Sequence, residues 1–421
     1  MTTNEYKLSQ AQLRIYYRYL NDFQDSHLYL PQAIQFPRHF SRHFFRKALD
    51  WVCSHNQIVF STYHYTYSTP YQIIQDGPAY SYQTLSLVDK SLQDTIDHLA
   101  VQRSALETLP HIHVYEIQQD SAIIIIILMH HIISDDWSLN LFTKELLTCY
   151  QALFNNKPPL VNKNYTYFDY IEDEYHKLHS HYFMPAKEYF LKEFSDCIPQ
   201  IALPKKSLTT NLSFSPGRQH FSIDKELFKQ LKNTAQRSKI SFFSLLISIY
   251  FLTLHKVSQQ NDLTLAYGIA NRIQKEVSNT VGMFVNITLI RLVMDHYHDM
   301  THLLQSVFKK SIKAFQFQDY PFNIAMKDLG LLSSHNNANT FDAMFLLQFK
   351  EKHRCTINNH IIETLDIDNP VENFNLLLVL EERNNYMHGS IKYNKNLYSD
   401  SFIQSLSQLY VAIAGYIIEK A

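Results

Sequence analysis

Glycine is the most informative scarcity in this 421-residue chain: there are seven, at positions 77, 217, 268, 282, 330, 389 and 415, and no two lie close together. Loops that cradle phosphates need clustered glycines, so that backbone N–H groups can approach the anion. Neither a P-loop nor a GxGxxG fingerprint is present, which argues against use of ATP or a nicotinamide cofactor through the common folds. Cysteine is sparser still. Cys53, Cys149, Cys197 and Cys355 are scattered, with no CxxC pair, so neither a zinc site nor a disulfide framework is indicated, and they read as reduced thiols, mostly in the core.

Charge of one sign is also missing. Lys and Arg number 38 against 39 Asp and Glu, a net charge of −1, so no global basic field points to nucleic acid or an anionic membrane surface. The N-terminus "MTTNEYKLSQAQLRIYYRYL" lacks the basic start and apolar core of a secretory signal, and no later segment reads as long enough to span a membrane. A cytoplasmic protein without membrane partners is the expectation.

Apolar and aromatic residues are plentiful: 46% of the chain is hydrophobic, with 28 Tyr and 28 Phe. That composition marks a globular protein, and the length exceeds what one hydrophobic core usually accommodates, so two domains or lobes are expected. "SQAQLRIYYRYL" (Ser9 to Leu20) reads as a capped short helix, and "HFSRHFFRKALDWVCSHN" has helix-period apolar positions before the strand-like "QIVFSTYHYTYS". "HIHVYEIQQDSAIIIIILMHH" reads as a hairpin and "LNLFTKELLTCYQALF" as the helix after it. Loops by composition are "NNKPPLVNKNY" (155 to 165) and "PKKSLTTNLSFSPGR" (204 to 218). A second lobe then opens with the two helices of "DKELFKQLKNTAQRSKISFFSLLISIYFLTLHKV". It continues with "LTLAYGI", "MFVNITLIRLVM", "FDAMFLLQF", "FNLLLVLEE" and "MHGSIKYNKNL", and closes on the helix "SFIQSLSQLYVAIAGYIIEK". Two α/β halves of similar content, without an obvious repeat, is the coarse reading.

Within this plan "AIIIIILMHHIISDDWSL" (Ala122 to Leu139) stands apart. A fully apolar run of about nine residues suits a strand buried on both faces, and it drives into two adjacent histidines, His130 and His131, with Asp135 and Asp136 just beyond. With 22 histidines in the chain, about one adjacent pair is expected by chance. HHxxxD at the end of a buried strand, followed by Trp137 and Ser138, is more specific. Two other histidines, His111 and His113, lie on one strand face as metal ligands could. No third ligand is evident, so a surface strand is the reading and no metal site is expected. Ser134 and Ser138 near His131 lack the GxSxG elbow of a serine hydrolase.

At these residues the chain resembles the condensation domains of nonribosomal peptide synthetases, whose HHxxxDG signature lies within the chloramphenicol acetyltransferase-like superfamily. Other motifs of that family follow in order. "LSQAQLRIYY" is similar to SxAQxRLW, and "HNQIVFSTY" occupies the place of RHExLRTxF with Phe60 where the family has Arg. "YFDYIED" is similar to YxDFAxW, with Asp173 replacing Trp. "VGMFVNITLIRL" matches IGxFVNTxxxR, keeping Gly282, Asn286 and Arg291, and "FQDYPFN" matches HQDYPFE except at its ends. SRNPLF is degraded to "NNANTF", with Asn337 where Arg is usual. The resemblance covers residues 8 to about 415.

The resemblance implies an α/β fold of two acetyltransferase-like lobes in a V-shaped pseudo-dimer, expected here as 1–175 and 176–421. It further implies a tunnel between the lobes, entered by phosphopantetheine arms of donor and acceptor carrier proteins, with His131 at its midpoint. His131 is the expected general base and His130 a candidate for a direct catalytic part, though more suited to supporting the loop. Asp135 is expected to be structural, in a salt bridge with Arg291. Asp136, Trp137, Ser138, Gly282 and Asn286 are expected along the tunnel, Ser138 as wall near the pantetheine arm.

An α-amine, with a pKa of about 8, is partly free base at neutral pH and needs chiefly orientation, whereas an alcohol would lean harder on His131. Asp136 is the departure that matters. The family has Gly there, and a carboxylate fills space and repels a developing oxyanion; it could alternatively raise the pKa of His131 or orient a cationic acceptor. Asp-Asp also ends the HRxxxDD pattern of the X domain, a non-condensing relative that recruits an oxygenase.

Three functions therefore compete. The first is a stand-alone condensation enzyme joining a carrier-bound acyl or peptidyl thioester to an amine or alcohol, with carriers supplied in trans and no permanently bound cofactor. The others are a silent recruitment or gating module and a CoA-dependent acyltransferase.

Overall fold

The structure is a computed structural model that describes residues 5–21, 28–66, 69–86, 91–102, 105–160, 165–206, 214–296, 299–331, 341–370, 374–383 and 385–420. Asn337 and parts of the two segments read as loops, 161–164 and 207–213, lie outside the described residues. In chain order the strands are β1 (Glu5–Lys7), β2 (Tyr29–Pro37), β3 (Ser61–Thr66), β4 (Thr69–Ile74), β5 (Ser81–Leu85), β6 (Ile112–Gln118) and β7 (Ala122–His130). They continue as β8 (Pro216–Ile223), β9 (Asp262–Ile269), β10 (Asn286–Val293), β11 (Met344–Gln348), β12 (Arg354–Ile357), β13 (His360–Thr364), β14 (Leu376–Arg383) and β15 (Tyr386–Asn394).

Two compact units form. The first comprises Met1–Tyr182, Arg272–Val285 and Glu351–Pro370; the second comprises Phe183–Asn271, Asn286–Lys350 and Val371–Ala421. The first division falls near the expected 175/176 boundary, but the C-terminal half returns two segments to the first unit. The cause is visible in each. Arg272 pairs with the buried Asp135, and residues 354–364 form a hairpin whose second strand, β13, pairs with β2.

The first unit holds a small sheet, β1-β4-β3, and a six-stranded sheet in the order β12-β13-β2-β7-β6-β5. The position of β7 explains its composition. Flanked by β2 and β6, it is buried along all nine residues. Ile123, Ile125, Ile127 and Met129 enter one core with residues of the helices Arg42–Ser54 and Asp136–Phe154. Ile124, Ile126 and Leu128 face a second cluster with Ile96 and Leu99 of the helix Leu92–Ala100. Alternate side chains of one strand thus serve two apolar layers, and an unbroken β-branched run is the sequence that does so.

The second unit has its own six-stranded sheet, β10-β9-β11-β14-β15-β8, again mixed parallel and antiparallel. Its core gathers the helices Lys225–Arg237, Phe242–Ser258, Met300–Gln316 and Asp400–Lys420. The last is long and apolar enough to cross a membrane by length and composition, contrary to the sequence reading. It lays Ile403, Leu406, Tyr410, Ala414 and Ile417 into the core of the second unit. Elsewhere the reading is refined: "QIVF" forms a 3₁₀ turn before β3, and the strand read from Met283 starts at Asn286, because residues 281–285 belong to the first unit.

Candidate active site

The HHxxxD residues occupy the turn between β7 and the helix Asp136–Phe154. His130 is the last residue of β7 and only 2% exposed. Its Nδ1 accepts the Ile132 N–H at 3.1 Å, its backbone N–H donates to the His111 carbonyl at 3.0 Å, and its ring meets Tyr29 edge-on. Burial, reinforced by the neighbouring His111, His131 and His113, pushes its pKa well below the ordinary histidine value. A neutral ring enclosed in this way supports the turn; the direct catalytic role considered for it does not fit.

His131 is half-buried. Its backbone N–H donates to the Leu28 carbonyl at 2.6 Å, and its Nδ1 lies 2.7 Å from the Ser134 carbonyl. A carbonyl only accepts, so the contact requires a proton on Nδ1, and in the neutral ring the lone pair is then on Nε2. Nε2 has no hydrogen-bond partner among the described residues. The backbone thus sets the tautomer a general base needs. Neither nearby serine competes for this ring: Ser134 Oγ donates to the His130 carbonyl, and Ser138 Oγ donates to the Gly282 carbonyl at 2.6 Å.

Asp135 caps the helix, accepting the Ser138 N–H at 2.8 Å, and its other oxygen accepts the Phe284 N–H at 3.1 Å. Its ionic partner is Arg272, at 3.0 Å, with side chains 2% and 0% exposed. This corrects the expected pairing with Arg291. In β10, Arg291 stands opposite Thr264 of β9, and its guanidinium binds the carboxylates of Asp262 and Asp196 within the second unit. A mid-strand residue is fixed by its sheet. Arg272 follows β9 in the loop, where the chain enters the first unit and can reach the cap.

Arg272 then organises the segment behind it. Its Nη1 donates to the carbonyls of Val277 and Thr280, its Nη2 to Ser138 Oγ at 2.6 Å, and its guanidinium lies 4.2 Å from the centre of the Phe284 ring. Gly282 presses against Tyr167 so closely that a Cβ would sit 1.9 Å from Tyr167 Cδ2, and the Tyr167 hydroxyl donates to the Met283 carbonyl. Gly282 and Ser138 therefore serve backbone packing. Trp137 is 48% exposed and donates its indole N–H to the Ser278 carbonyl. Asn286 lies in the second unit, where its amide takes the carbonyls of Gln318 and Tyr320 and the Phe322 N–H. Its polar atoms are spent on the "QDYPF" backbone.

Asp136 lies in the first helical turn, where the helix dipole favours a carboxylate. Its Oδ1 accepts from Asn369 Nδ2 at 2.9 Å, and no hydrogen bond joins it to His131 among the described residues. The "HIH" pair is interior rather than on a surface strand. His111 is fully buried with its pKa pushed down to about 4 by burial, and His113 bonds Ser81 and Tyr29 through its two ring nitrogens.

Sequence reasoning missed Arg272 and Asn369. Arg272 lies just after the strand read as "LTLAYGI" and was given no role. Asn369 lies in a polar stretch with no pattern.

The condensation domain model matches residues 2–420. Bacitracin synthase 3 of Bacillus licheniformis is 27% identical over 412 residues, which is 97% of this chain and 6% of that protein, so the chain spans only a small part of this curated relative. The X-domain from teicoplanin biosynthesis superposes with a TM-score of 0.88 at 16% identity, covering 100% of this chain and 96% of that one. The SgcC5 protein from Streptomyces globisporus does so with a TM-score of 0.82 at 17% identity, covering 98% of each. With that model spanning the chain and its histidine motif folded onto the end of a buried strand, the chain belongs to the condensation domain family.

Proposed function

We propose that this condensation domain is catalytically active in nonribosomal peptide or hybrid polyketide biosynthesis. It joins an acyl or peptidyl group, held as a thioester on the phosphopantetheine arm of a carrier protein, to an amine or alcohol acceptor in the cytoplasm. The observation that carries this reading is the hydrogen bond from His131 Nδ1 to the Ser134 carbonyl, which leaves Nε2 as the proton acceptor. The acceptor nitrogen or oxygen attacks the thioester carbon, His131 Nε2 takes its proton, the C–S bond breaks, and the departing thiolate recovers a proton.

Asp136 is compatible with this chemistry because Asn369 holds its carboxylate. An alcohol acceptor is supported by the SgcC5 structure, which is a complex with 1-(2-naphthyl)-1,2-ethanediol. The starter condensation domain of rhizomide synthetase, a neighbour in fold, was solved in complex with C8-CoA, which supports keeping a CoA-dependent acyltransferase as a further alternative.

Asp136 in place of the motif glycine favours a second reading, a silent recruiting module, as in the X-domain solved in complex with OxyB. One experiment separates the two. Acyl-loaded carrier proteins and a panel of amines and alcohols are incubated with wild type, His131→Ala and Asp136→Gly, and product is read by intact-protein mass spectrometry. Wild-type turnover lost in His131→Ala supports the enzyme. No wild-type turnover, with gain in Asp136→Gly, establishes the recruiting module instead.

A further inference from the structure

The turn that presents His131 contains a buried backbone carbonyl that regular secondary structure does not serve. Ile132 is fully buried, so its C=O has no access to water and needs a protein donor. Among the described residues that donor is Gln12 Nε2, at 3.2 Å, from the helix Gln10–Asn21. Gln12 is itself fully buried. Its amide is oriented by Ser9 N–H on Oε1 at 3.1 Å, by the Tyr63 hydroxyl at 3.2 Å and by the facing amide of Gln72.

The same helix and the residue before it hold the other side of the site: Arg14 donates to the Val285 carbonyl at 2.7 Å, while Ser9 meets the Tyr167 hydroxyl that bonds Met283. One short segment, residues 9–14, therefore contacts both the His131 turn and residues 283–285.

We infer that Gln12 is a positioning residue for His131: by holding the Ile132 carbonyl it fixes the turn so that His131 Nδ1 reaches Ser134 and Nε2 stays available. Without that donor the Ile132 carbonyl must move to find another, and the adjacent imidazole moves with it. This inference rests on His131 acting as the base, but its test does not depend on turnover alone.

The 421-residue chain with isotope-labelled histidine is examined by NMR, with the His131 signals assigned through His131→Gln, for wild type and Gln12→Met. The expected result is an Nδ1-protonated His131 in wild type, and loss of that tautomer preference in Gln12→Met. In the carrier-protein assay kcat falls about 10- to 100-fold with KM little changed, the size a misplaced catalytic group produces. Unchanged His131 signals and kcat in a folded Gln12→Met overturn the inference. Absence of turnover in wild type counts against the proposed enzyme and leaves the tautomer comparison standing.

If Gln12→Met does not fold, Gln12→Glu decides. It keeps the shape and the Oε1 acceptor, and it donates to Ile132 only when its carboxyl is protonated. The His131 signals must then carry a second ionisation, and their following wild type at every pH overturns the inference.

Discussion

The guanidinium of Arg272 lies 3.0 Å from the carboxylate of Asp135, and both side chains are shut away from water. The pair joins the N-terminus of the helix after the histidine motif to a segment well over a hundred residues later in the chain. Removing one partner of a buried pair strands the other charge, at a typical cost of about 3–5 kcal/mol. Arg272→Met should therefore lower the melting temperature sharply, and Asp135→Asn likewise. Arg291→Met, which leaves the cap pair untouched, should lower it less. Thermal unfolding followed by circular dichroism ranks the three, and an Arg291 effect as large as that of Arg272 would contradict the pairing.

Gly282→Ala is expected to be severe for its size. The added methyl group meets the ring of Tyr167, whose hydroxyl is tied to both Ser9 and Met283 and cannot simply rotate away. Overpacking of this kind costs about 1–3 kcal/mol, measurable as a reduced denaturation midpoint in urea. Gly415→Ala, with open space around its Cβ position, should cost nothing and serves as the control.

Buried histidines predict a specific loss of stability in mild acid. His111 has its pKa lowered to about 4, and His130 and His113 are lowered too, chiefly by burial. Unfolding returns each to about 6.5, so below that pH the unfolded chain binds more protons than the folded one. Their contribution is complete above pH 6.5 and drains away as pH falls toward 4, with a slope of up to about 1.4 kcal/mol per pH unit for each group. Urea titrations at a series of pH values should show this decline, and His111→Phe should flatten it. A stability constant from pH 7 to 5 would be inconsistent with the burial.

The reaction itself should reveal how hard His131 works. An amine acceptor arrives partly as free base, whereas an alcohol needs its proton removed during attack. His131→Ala should thus cost about 10²- to 10⁴-fold with an alcohol and less with an amine. The ratio of the two losses, measured by product mass spectrometry, is the readout, and equal losses would mean that His131 only orients the acceptor.

Much of the local structure was legible. The run Ile123–Ile127 read as a strand covered on both faces and is one, whereas the helix read from Leu139 begins at Asp136, with Asp135 as its cap. The pairing of Asp135 was not legible either. Arg291 sits in a motif and Arg272 in a loop, and nothing in a linear pattern records that β10 turns Arg291 toward Asp196 while the chain after β9 turns Arg272 toward the cap. The hairpin 354–364 escaped notice because its strands are short and partly polar, stabilised by joining β2 rather than by their own composition. Asp136 looked hostile to catalysis in the sequence because its partner, Asn369, is a single polar residue more than two hundred positions away.

The return of residues 272–285 and 351–370 to the first unit has a consequence for biosynthesis of the chain. A ribosome adding roughly 5–20 residues per second needs about ten to forty seconds to go from residue 182 to residue 370. For about the first half of that interval Asp135 is without Arg272, and for nearly all of it β2 is without β13. The histidine motif is translated early but completed late, and the half-built sheet edge waits in the crowded cell as a natural client for chaperones.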